Sequence, residues 1–185
     1  NGTPSRYSTI LKGIQDKASG HITYAKGCDI SNSNSPHIPF EEAIIAARNA
    51  DVVILCMGLN TLLEGEAGDA YNADYSGDKR DLELPPCQMR LYDAVIAQGK
   101  PTVSGSCTNL SRQDKECNAV LQVFYSGAMG GEAVADILFG NVSPSGRLPV
   151  TFYESIDDLP PFEDYSMENR TYKFFKGKPV YEFGY

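Results

Sequence analysis

The sequence lacks the features that mark membrane proteins and nucleic-acid-binding proteins. Its longest apolar run covers only residues 52–59, whereas a helix that crosses a bilayer needs roughly 18 to 20 apolar residues. The formal net charge of −8 and the pI of about 4.7 leave no excess of positive charge that would attract phosphate groups. We therefore expect a chain that binds neither membranes nor nucleic acid.

Side chains that hold metal ions or act as nucleophiles are also scarce. The two histidines, His21 and His37, lie far apart, and the five cysteines contain no C-x-x-C pair, so neither a zinc site nor a disulfide framework is indicated. No serine lies in a G-x-S-x-G turn, and no G-x-G-x-x-G follows a predicted strand, which argues against a serine hydrolase and a nucleotide site. The sequence predicts no metal ion and no cofactor.

What the sequence does contain is an alternation of helix and strand patterns. Residues 52–59 are too continuously apolar for a strand with one face in water, and strands buried on both faces are typical of parallel sheets. The predicted order is helix 3–20, strand 21–30, helix 39–50, strand 51–59, helix 84–99, strand 101–104, loop 105–118, strand 119–124, helix 132–139 and strand 147–152. This order predicts an α/β fold, a three-layer sandwich whose mostly parallel sheet carries helices on both faces.

The composition changes after residue 152. Residues 1–152 carry the alternating pattern, whereas residues 153–185 are rich in proline and aromatic side chains. We expect residues 1–152 to form the sandwich domain. We expect residues 153–185 to form a tail that packs on the same domain or seats it on a neighbouring one.

An acidic loop follows the most apolar predicted strand. Residues 60–81 include Glu64 and Glu66 and leave the carboxyl end of that strand, which is where open α/β sheets bind ligands. Connections inside compact domains are usually about 4 to 6 residues long, and a loop as long as this one is usually a lid or a binding loop. A carboxyl group near apolar walls or a second carboxylate has a raised pKa and can donate a proton. Either glutamate is a candidate proton donor, and a solvated acidic loop is the alternative interpretation.

Several segments, taken in order, match motifs of a known family. The most specific are GGEAVADILFGNVSPSGRLPVTF and the closing YEFGY, and the others are NGTPSRYSTILKGI, ITYAKGCDI, ADVVILCMGLN, EGEAGD and GDKRDLELPPCQMRLYDAV. Together they resemble the α/β sandwich domain of glycoside hydrolase family 3, found in many β-glucosidases and β-xylosidases. The resemblance covers nearly the whole chain. It implies a retaining, exo-acting β-glycosidase that hydrolyses a β-linked oligosaccharide or aryl glycoside.

The resemblance also implies how the active site is divided. In relatives a (β/α)8 barrel of the same polypeptide supplies an aspartate nucleophile, and the sandwich domain supplies the general acid/base from a G-E-G-x-D-R or S-E-G-x-D-R stretch. That stretch maps best onto residues 65–69, so Glu66 is the predicted general acid/base and Glu64 the alternative. Asp69 and Arg80 are the predicted substrate-binding residues. Two positions of the family stretch carry alanine here, and the arginine appears later in the loop.

Other functions stay open beside this one. The chain resembles an excised domain without the barrel, so a non-catalytic sugar-binding or scaffolding module is the alternative, and the aromatic tail favours it. A stand-alone hydrolase that pairs Glu64 with Glu66 is disfavoured, because one intervening glycine does not readily place two carboxyl groups on opposite faces of a sugar. The segments NGTPS, TYAKGCDI and LEGE resemble β-xylosidases somewhat more than β-glucosidases, and the choice between these substrates is left open.

Overall fold

The chain forms two compact units. The structure, a computed structural model, describes residues 3–31, 37–60, 81–105, 109–161, 163–170 and 172–185. The first unit comprises Asn1–Tyr24 and Val123–Gly146, and the second comprises Ala25–Gln122 and Arg147–Tyr185. Among the described residues, no helix has both the length and the apolar character needed to cross a membrane.

Helices and strands alternate through most of the described chain. In order they are α1 (Ile10–Lys17), α2 (His37–Asn49), β1 (Val53–Cys56), α3 (Pro86–Ile96), β2 (Thr102–Gly105), α4 (Ser111–Glu116), β3 (Ala119–Val120) and α5 (Gly130–Leu138). Single turns of 3-10 helix follow at Ile156–Asp158 and Tyr172–Phe174.

The sheet lies in the second unit, and its described strands are all parallel. Their order is β1-β2-β3, with Val53 opposite Thr102 and Val103 opposite Ala119. Helices supply the crossovers between these parallel strands, as the alternating pattern predicts. The predicted α/β class with a parallel sheet is therefore confirmed.

The core of the second unit forms where α3 packs on β1. Leu91, Tyr92 and Val95 of α3 are buried together with Leu55 of β1 and Ala47 of α2. The three α3 residues recur at helical spacing, so one face of the helix is apolar. Burying each large apolar side chain contributes about 1.5–3 kcal/mol, which makes this face the main anchor of α3.

One face of β1 is less buried than the sequence predicts. Leu55 is buried, but Ile54 is 37% exposed and Cys56 is also exposed. The prediction of a strand buried on both faces is therefore wrong for this chain. Apolar residues on both faces of a strand permit two covering layers, but the Ile54 face is only partly covered by the residues that the structure describes.

Two other predicted strands are also corrected. Residues 21–30 contain no strand and have no ladder partner. Residues 147–152 form no strand but have one antiparallel bridge, between Phe152 and Tyr181, and the Leu148 backbone bonds to Gly184 and Tyr185. In both segments the apolar pattern overstates burial, because Tyr24 is 66% exposed and Val150 is 51% exposed. Backbone pairing also depends on a partner strand that the local pattern does not contain.

The first unit consists of α1 and α5 crossing at very short range. A Cβ atom added to Gly13 would lie 2.1 Å from the carbonyl oxygen of Gly131, and one added to Gly131 would lie 2.0 Å from that of Thr9. The predicted helix start at residue 3 is wrong. The helix begins at Ile10, where the Thr9 hydroxyl accepts a hydrogen bond from the Lys12 amide at 3.2 Å, while the backbone of Ser8 bonds to residues near α5.

The carboxyl-terminal residues 147–185 belong to the second unit. Phe152 is 7% exposed and stacks edge-on with Tyr181 at a centroid distance of 6.3 Å. The Tyr181 hydroxyl donates a hydrogen bond to Asp114 of α4. These contacts tie the aromatic segment to α4. The boundary at residues 152 and 153 stays a prediction.

Candidate active site

The predicted site residues lie in a segment that the structure does not describe. Glu64, Glu66, Asp69 and Arg80 all fall within residues 61–80, outside the described residues. The structure does describe both ends of this segment, at residues 58–60 after β1 and 81–85 before α3. The described part of the candidate site therefore consists of the residues at the two ends of this loop and their neighbours.

An open cleft of about 270 Å³ lies at the carboxyl end of β1. Met57 and Gly58 form the wall that continues β1, Cys28 and Ile30 form a second wall, and Gln88 with its neighbours on α3 forms the third. Ligands of open α/β sheets bind at the carboxyl ends of the strands. The acidic loop therefore leaves β1 beside the described cleft.

Gln88 joins two of these walls through its side-chain amide. Its Oε1 accepts a hydrogen bond from the Gly58 amide at 2.9 Å, and its Nε2 donates to the carbonyl oxygens of Gly58 at 2.7 Å and Ile30 at 2.8 Å. The partners fix which amide atom is nitrogen, because an N–H group needs an acceptor and the carbonyl groups need donors. Three good hydrogen bonds thus converge on one side chain that is only 5% exposed.

The position of Gln88 follows from how α3 begins. Pro86 occupies the first helical turn after Pro85, where a missing N–H does no harm. Gln88 then lies on the same buried face as Leu91 and Val95, one turn and two turns later. A polar side chain in an apolar stripe must find hydrogen-bond partners, and the chain leaving β1 provides them.

The wall at residues 27–30 is seated on α3 by two further contacts. Gly27 has φ of +77°, and a Cβ atom there would lie 2.4 Å from Cδ2 of Leu91. The Cys87 thiol donates to the carbonyl oxygen of Asp29 at 3.2 Å. The backbone conformation at position 27 favours glycine, and a larger residue would also have to displace the Leu91 side chain. The segment predicted as a strand is thus held by side chains of α3 rather than by a ladder.

The ionisable groups of these walls are poor nucleophiles. Burial raises the pKa of the Cys28 thiol to about 11, and the nearby Cys87 thiol adds to the effect. Burial also raises the pKa of the Cys87 thiol. Both cysteines therefore stay protonated at neutral pH, and a thiol is a far weaker nucleophile than a thiolate. Lys26 forms an ion pair with Asp29 at the partly exposed edge of the cleft, where such pairs contribute little to stability.

Among the residues that the structure describes, no group of three or more histidine, cysteine, aspartate or glutamate side chains could hold a metal ion. The described walls offer amide, ammonium and carboxylate groups for hydrogen bonding. Such walls can orient a polar ligand or a loop, and the adjacent loop carries the candidate carboxyl groups Glu64 and Glu66.

Sequence reasoning missed Gln88. The signal was present, because Gln88 interrupts the apolar stripe that continues through Leu91 and Val95. A glutamine at such a position indicates a buried hydrogen-bond network. The pattern alone could not have identified Gly58 and Ile30 as its partners, because these residues are distant in sequence.

Comparison with known proteins assigns the chain to a family. Residues 1–185 match the family model described as the glycosyl hydrolase family 3 C-terminal domain. The chain is 37% identical over 195 residues to the xylan 1,4-beta-xylosidase of Xylanibacter ruminicola, covering 99% of this chain and 22% of the relative. It is 30% identical over 220 residues to the periplasmic beta-glucosidase of Salmonella typhimurium, covering 100% of this chain and 28% of the relative.

Structural comparison leads to the same family. A family 3 exo-β-xylosidase in complex with a xylobiose aziridine activity-based probe superimposes with a TM-score of 0.78 at 28% identity, covering 100% of this chain and 24% of the other. This similarity confirms the predicted α/β sandwich. The chain spans about a quarter of the length of the curated relatives it matches. Because the family model matches the whole chain, the chain belongs to glycosyl hydrolase family 3 as a C-terminal domain.

Proposed function

We propose that this chain is the acid/base domain of a retaining, exo-acting β-glycosidase whose active site is shared with a (β/α)8 barrel of the same polypeptide. The observation that carries the proposal is the origin of the acidic loop at the carboxyl end of β1, beside the cleft. Membership of family 3 supports a glycoside hydrolase. Glu66 is the proposed general acid/base, and Asp69 and Arg80 are proposed substrate contacts.

The proposed mechanism uses two carboxyl groups in two steps. Glu66 protonates the leaving-group oxygen while the barrel nucleophile attacks the anomeric carbon, so the leaving group departs and a covalent glycosyl-enzyme forms. The carboxylate of Glu66 then removes a proton from a water molecule that attacks the anomeric carbon and breaks its bond to the nucleophile. For retention the two carboxyl groups must be roughly 5 to 5.5 Å apart. Glu66 must also be protonated in the first step, which apolar surroundings or a second carboxylate nearby would favour.

The proposed substrates are β-linked xylosides, with β-linked glucosides as the second choice. The relative named xylan 1,4-beta-xylosidase is 37% identical to this chain, whereas the relative named periplasmic beta-glucosidase is 30% identical. Both relatives differ from this chain at most positions, and most of the sugar-binding pocket would lie in the barrel. Side-by-side kinetics on the matched 4-nitrophenyl glycosides would decide the preference.

The direct test is Glu66→Gln in the full-length polypeptide. We expect kcat/KM on glycosides with poor leaving groups to fall by about 10²–10⁴-fold, because general acid catalysis contributes that much. Activated aryl glycosides should keep most of their kcat/KM, and added azide should raise their kcat and yield a glycosyl azide.

Glu64→Gln is the matched control, because it removes a carboxyl group two residues away in the same loop. We expect it to change these rates only a few-fold. If Glu64→Gln shows the acid/base signature instead, the role belongs to Glu64. If neither variant alters the dependence on the leaving group, the chain is not an acid/base domain.

A second candidate is a non-catalytic sugar-binding module. The observation that favours it is the exposure of aromatic rings in the carboxyl-terminal segment, where Tyr165 is 76% exposed and Tyr185 is 69% exposed. Exposed aromatic rings can stack on sugar rings. Xylo-oligosaccharide binding that is lost in Tyr165→Ala, together with unchanged kinetics of Glu66→Gln and Glu64→Gln, would favour this candidate.

A further inference from the structure

The Gln88 side chain acts as one residue of an additional strand at the carboxyl end of β1. In the hydrogen-bonded pairs of an antiparallel ladder, a residue donates its N–H to the residue opposite and accepts a hydrogen bond from that same residue. Gly58 does both with the Gln88 amide, at 2.9 Å and 2.7 Å. Gly58 lies two residues beyond the end of β1 at Cys56. The hydrogen-bonded path of the chain is thus extended past the strand by a side chain.

The remaining amide hydrogen of Gln88 connects this point to a second segment. It binds the carbonyl oxygen of Ile30 at 2.8 Å, while the adjacent Cys87 thiol binds that of Asp29 at 3.2 Å. The first turn of α3 therefore fixes both walls of the cleft to each other. We call Gln88, Gly58 and Ile30 the amide bracket.

The backbone conformation of Gly58 sets the direction in which the chain leaves the amide bracket. Its φ of +148° lies in the region that side-chain-bearing residues avoid, and a Cβ atom there would meet nothing within 4 Å. Glycine adopts this conformation without strain, and the two hydrogen bonds to Gln88 hold the residue in it.

We propose that Gln88 is a positioning residue for the general acid/base. It fixes the backbone at Gly58, two residues before the acidic loop begins at residue 60, so acid catalysis by the loop should depend on this anchor. This inference rests on the proposed function, since it assigns Gln88 a role in that reaction. It goes further by locating a determinant of acid catalysis on α3, outside the loop.

The amide group is the feature that matters. Methionine at position 88 would fill a similar volume but would leave three polar backbone groups without this partner. Glutamate would keep an acceptor for the Gly58 amide but would place a carboxylate against two carbonyl oxygens. Both changes free the chain at Gly58, and a displacement of about 1 Å at a catalytic group can cost about 100-fold in rate.

The test compares Gln88→Met with Val95→Ala in the full-length polypeptide. Val95 is 2% exposed on the same helix and contacts the core rather than the bracket, so its truncation controls for general loosening of α3. For Gln88→Met we expect kcat/KM on alkyl or disaccharide substrates to fall by about 10–100-fold. On 2,4-dinitrophenyl glycosides, whose departure needs no acid, the fall should stay within about 3-fold, and azide should raise kcat.

Hydrogen exchange supplies a readout that does not depend on activity. In Gln88→Met, the peptide containing Gly58 should exchange at least about 10-fold faster than in the parent, because a local opening replaces a protected amide. In Val95→Ala this peptide should change no more than the rest of α3. If Gln88→Met does not fold, Gln88→Glu is judged by the same criteria.

The outcomes separate this inference from the proposed function. If Gln88→Met lowers kcat/KM by the same factor on every substrate, as Val95→Ala would, the role of Gln88 is only structural and the inference is overturned. That result leaves the proposed function intact if Glu66→Gln still shows its leaving-group signature. If neither loop glutamate shows that signature, the proposed function fails, and the positioning role of Gln88 fails with it even where exchange at Gly58 accelerates.

Discussion

At the scale of single residues, the clearest electrostatic interaction in the first unit joins α1 to α5. Lys17 Nζ lies 2.8 Å from Oδ1 of Asp136, and the Asn141 amide donates to the same oxygen at 3.0 Å. The hydrogen bond from Lys17 is the main cause of a lowered pKa at Asp136, and Asn141 adds to it. The charge of Asp136 is therefore favoured by folding.

This lowered pKa predicts a defined pH dependence for Asp136→Asn. A carboxyl group whose pKa is lower in the folded state stabilises the protein above its unfolded pKa, and the contribution is lost as pH falls through the folded pKa. The variant should therefore be less stable than the parent at pH 6, and the difference should shrink below about pH 3.8. Urea midpoints of the 185-residue chain between about pH 6 and pH 3 would show this.

Lys17→Met is the matched control for that titration. It removes the main cause of the lowered pKa while it keeps the carboxyl group of Asp136 and its bond from Asn141. The double variant should add little to either single variant, because both remove one interaction. Fully additive effects, or a stability difference that does not change with pH, would contradict the assignment.

At the scale of elements, the crossing of α1 and α5 depends on glycine at the contact. Gly131→Ala would place Cβ 2.0 Å from the carbonyl oxygen of Thr9, which is backbone and cannot rotate away. We expect a loss of about 1–3 kcal/mol or more in the free energy of unfolding. Gly127→Ala is the control, because its Cβ would meet nothing within 4 Å, and its effect should stay within about 1 kcal/mol. Equal effects of the two variants in thermal unfolding would refute the close crossing.

Some of these elements can be predicted from the sequence, and others cannot. The buried face of α3 and the parallel order of the strands follow from local signals, namely apolar spacing and continuous apolar runs. Helix α4 was predicted as loop, because its start depends on Asn109, whose Oδ1 accepts hydrogen bonds from the amide and hydroxyl of Ser111. Asn109 is in turn held by Glu83 and by the carbonyl oxygen of Glu154. Such distant partners are not visible in a local pattern.

The same reasoning separates the two parts of the candidate site. Residue type, loop length and the predicted strand before the loop indicate Glu64 and Glu66 as candidates from the sequence alone. Gln88 needed the structure, because its role comes from where the chain brings Gly58 and Ile30. Catalytic groups can often be recognised by residue type, whereas the groups that position them are ordinary polar residues with unusual surroundings.

At the scale of the whole molecule, the chain supplies one of the two carboxyl groups of the proposed mechanism. It covers 22% of the relative named xylan 1,4-beta-xylosidase, and the proposed nucleophile belongs to the barrel. Removing the acid/base from a retaining enzyme slows both steps, but removing the nucleophile prevents the covalent intermediate altogether. The proposal therefore makes a firm statement about the 185 residues alone.

The isolated 185-residue chain should hydrolyse no aryl β-xyloside or β-glucoside above the buffer rate, whereas the full-length polypeptide should turn both over at rates typical of enzymes. Even a 2,4-dinitrophenyl leaving group should not rescue the chain, because good leaving groups replace the acid and not the nucleophile. Circular dichroism on the same preparation would show that the chain is folded. Turnover by the folded chain that disappears in both Glu64→Gln and Glu66→Gln would contradict the division of the active site, since it would mean that the loop carries both carboxyl groups of the mechanism.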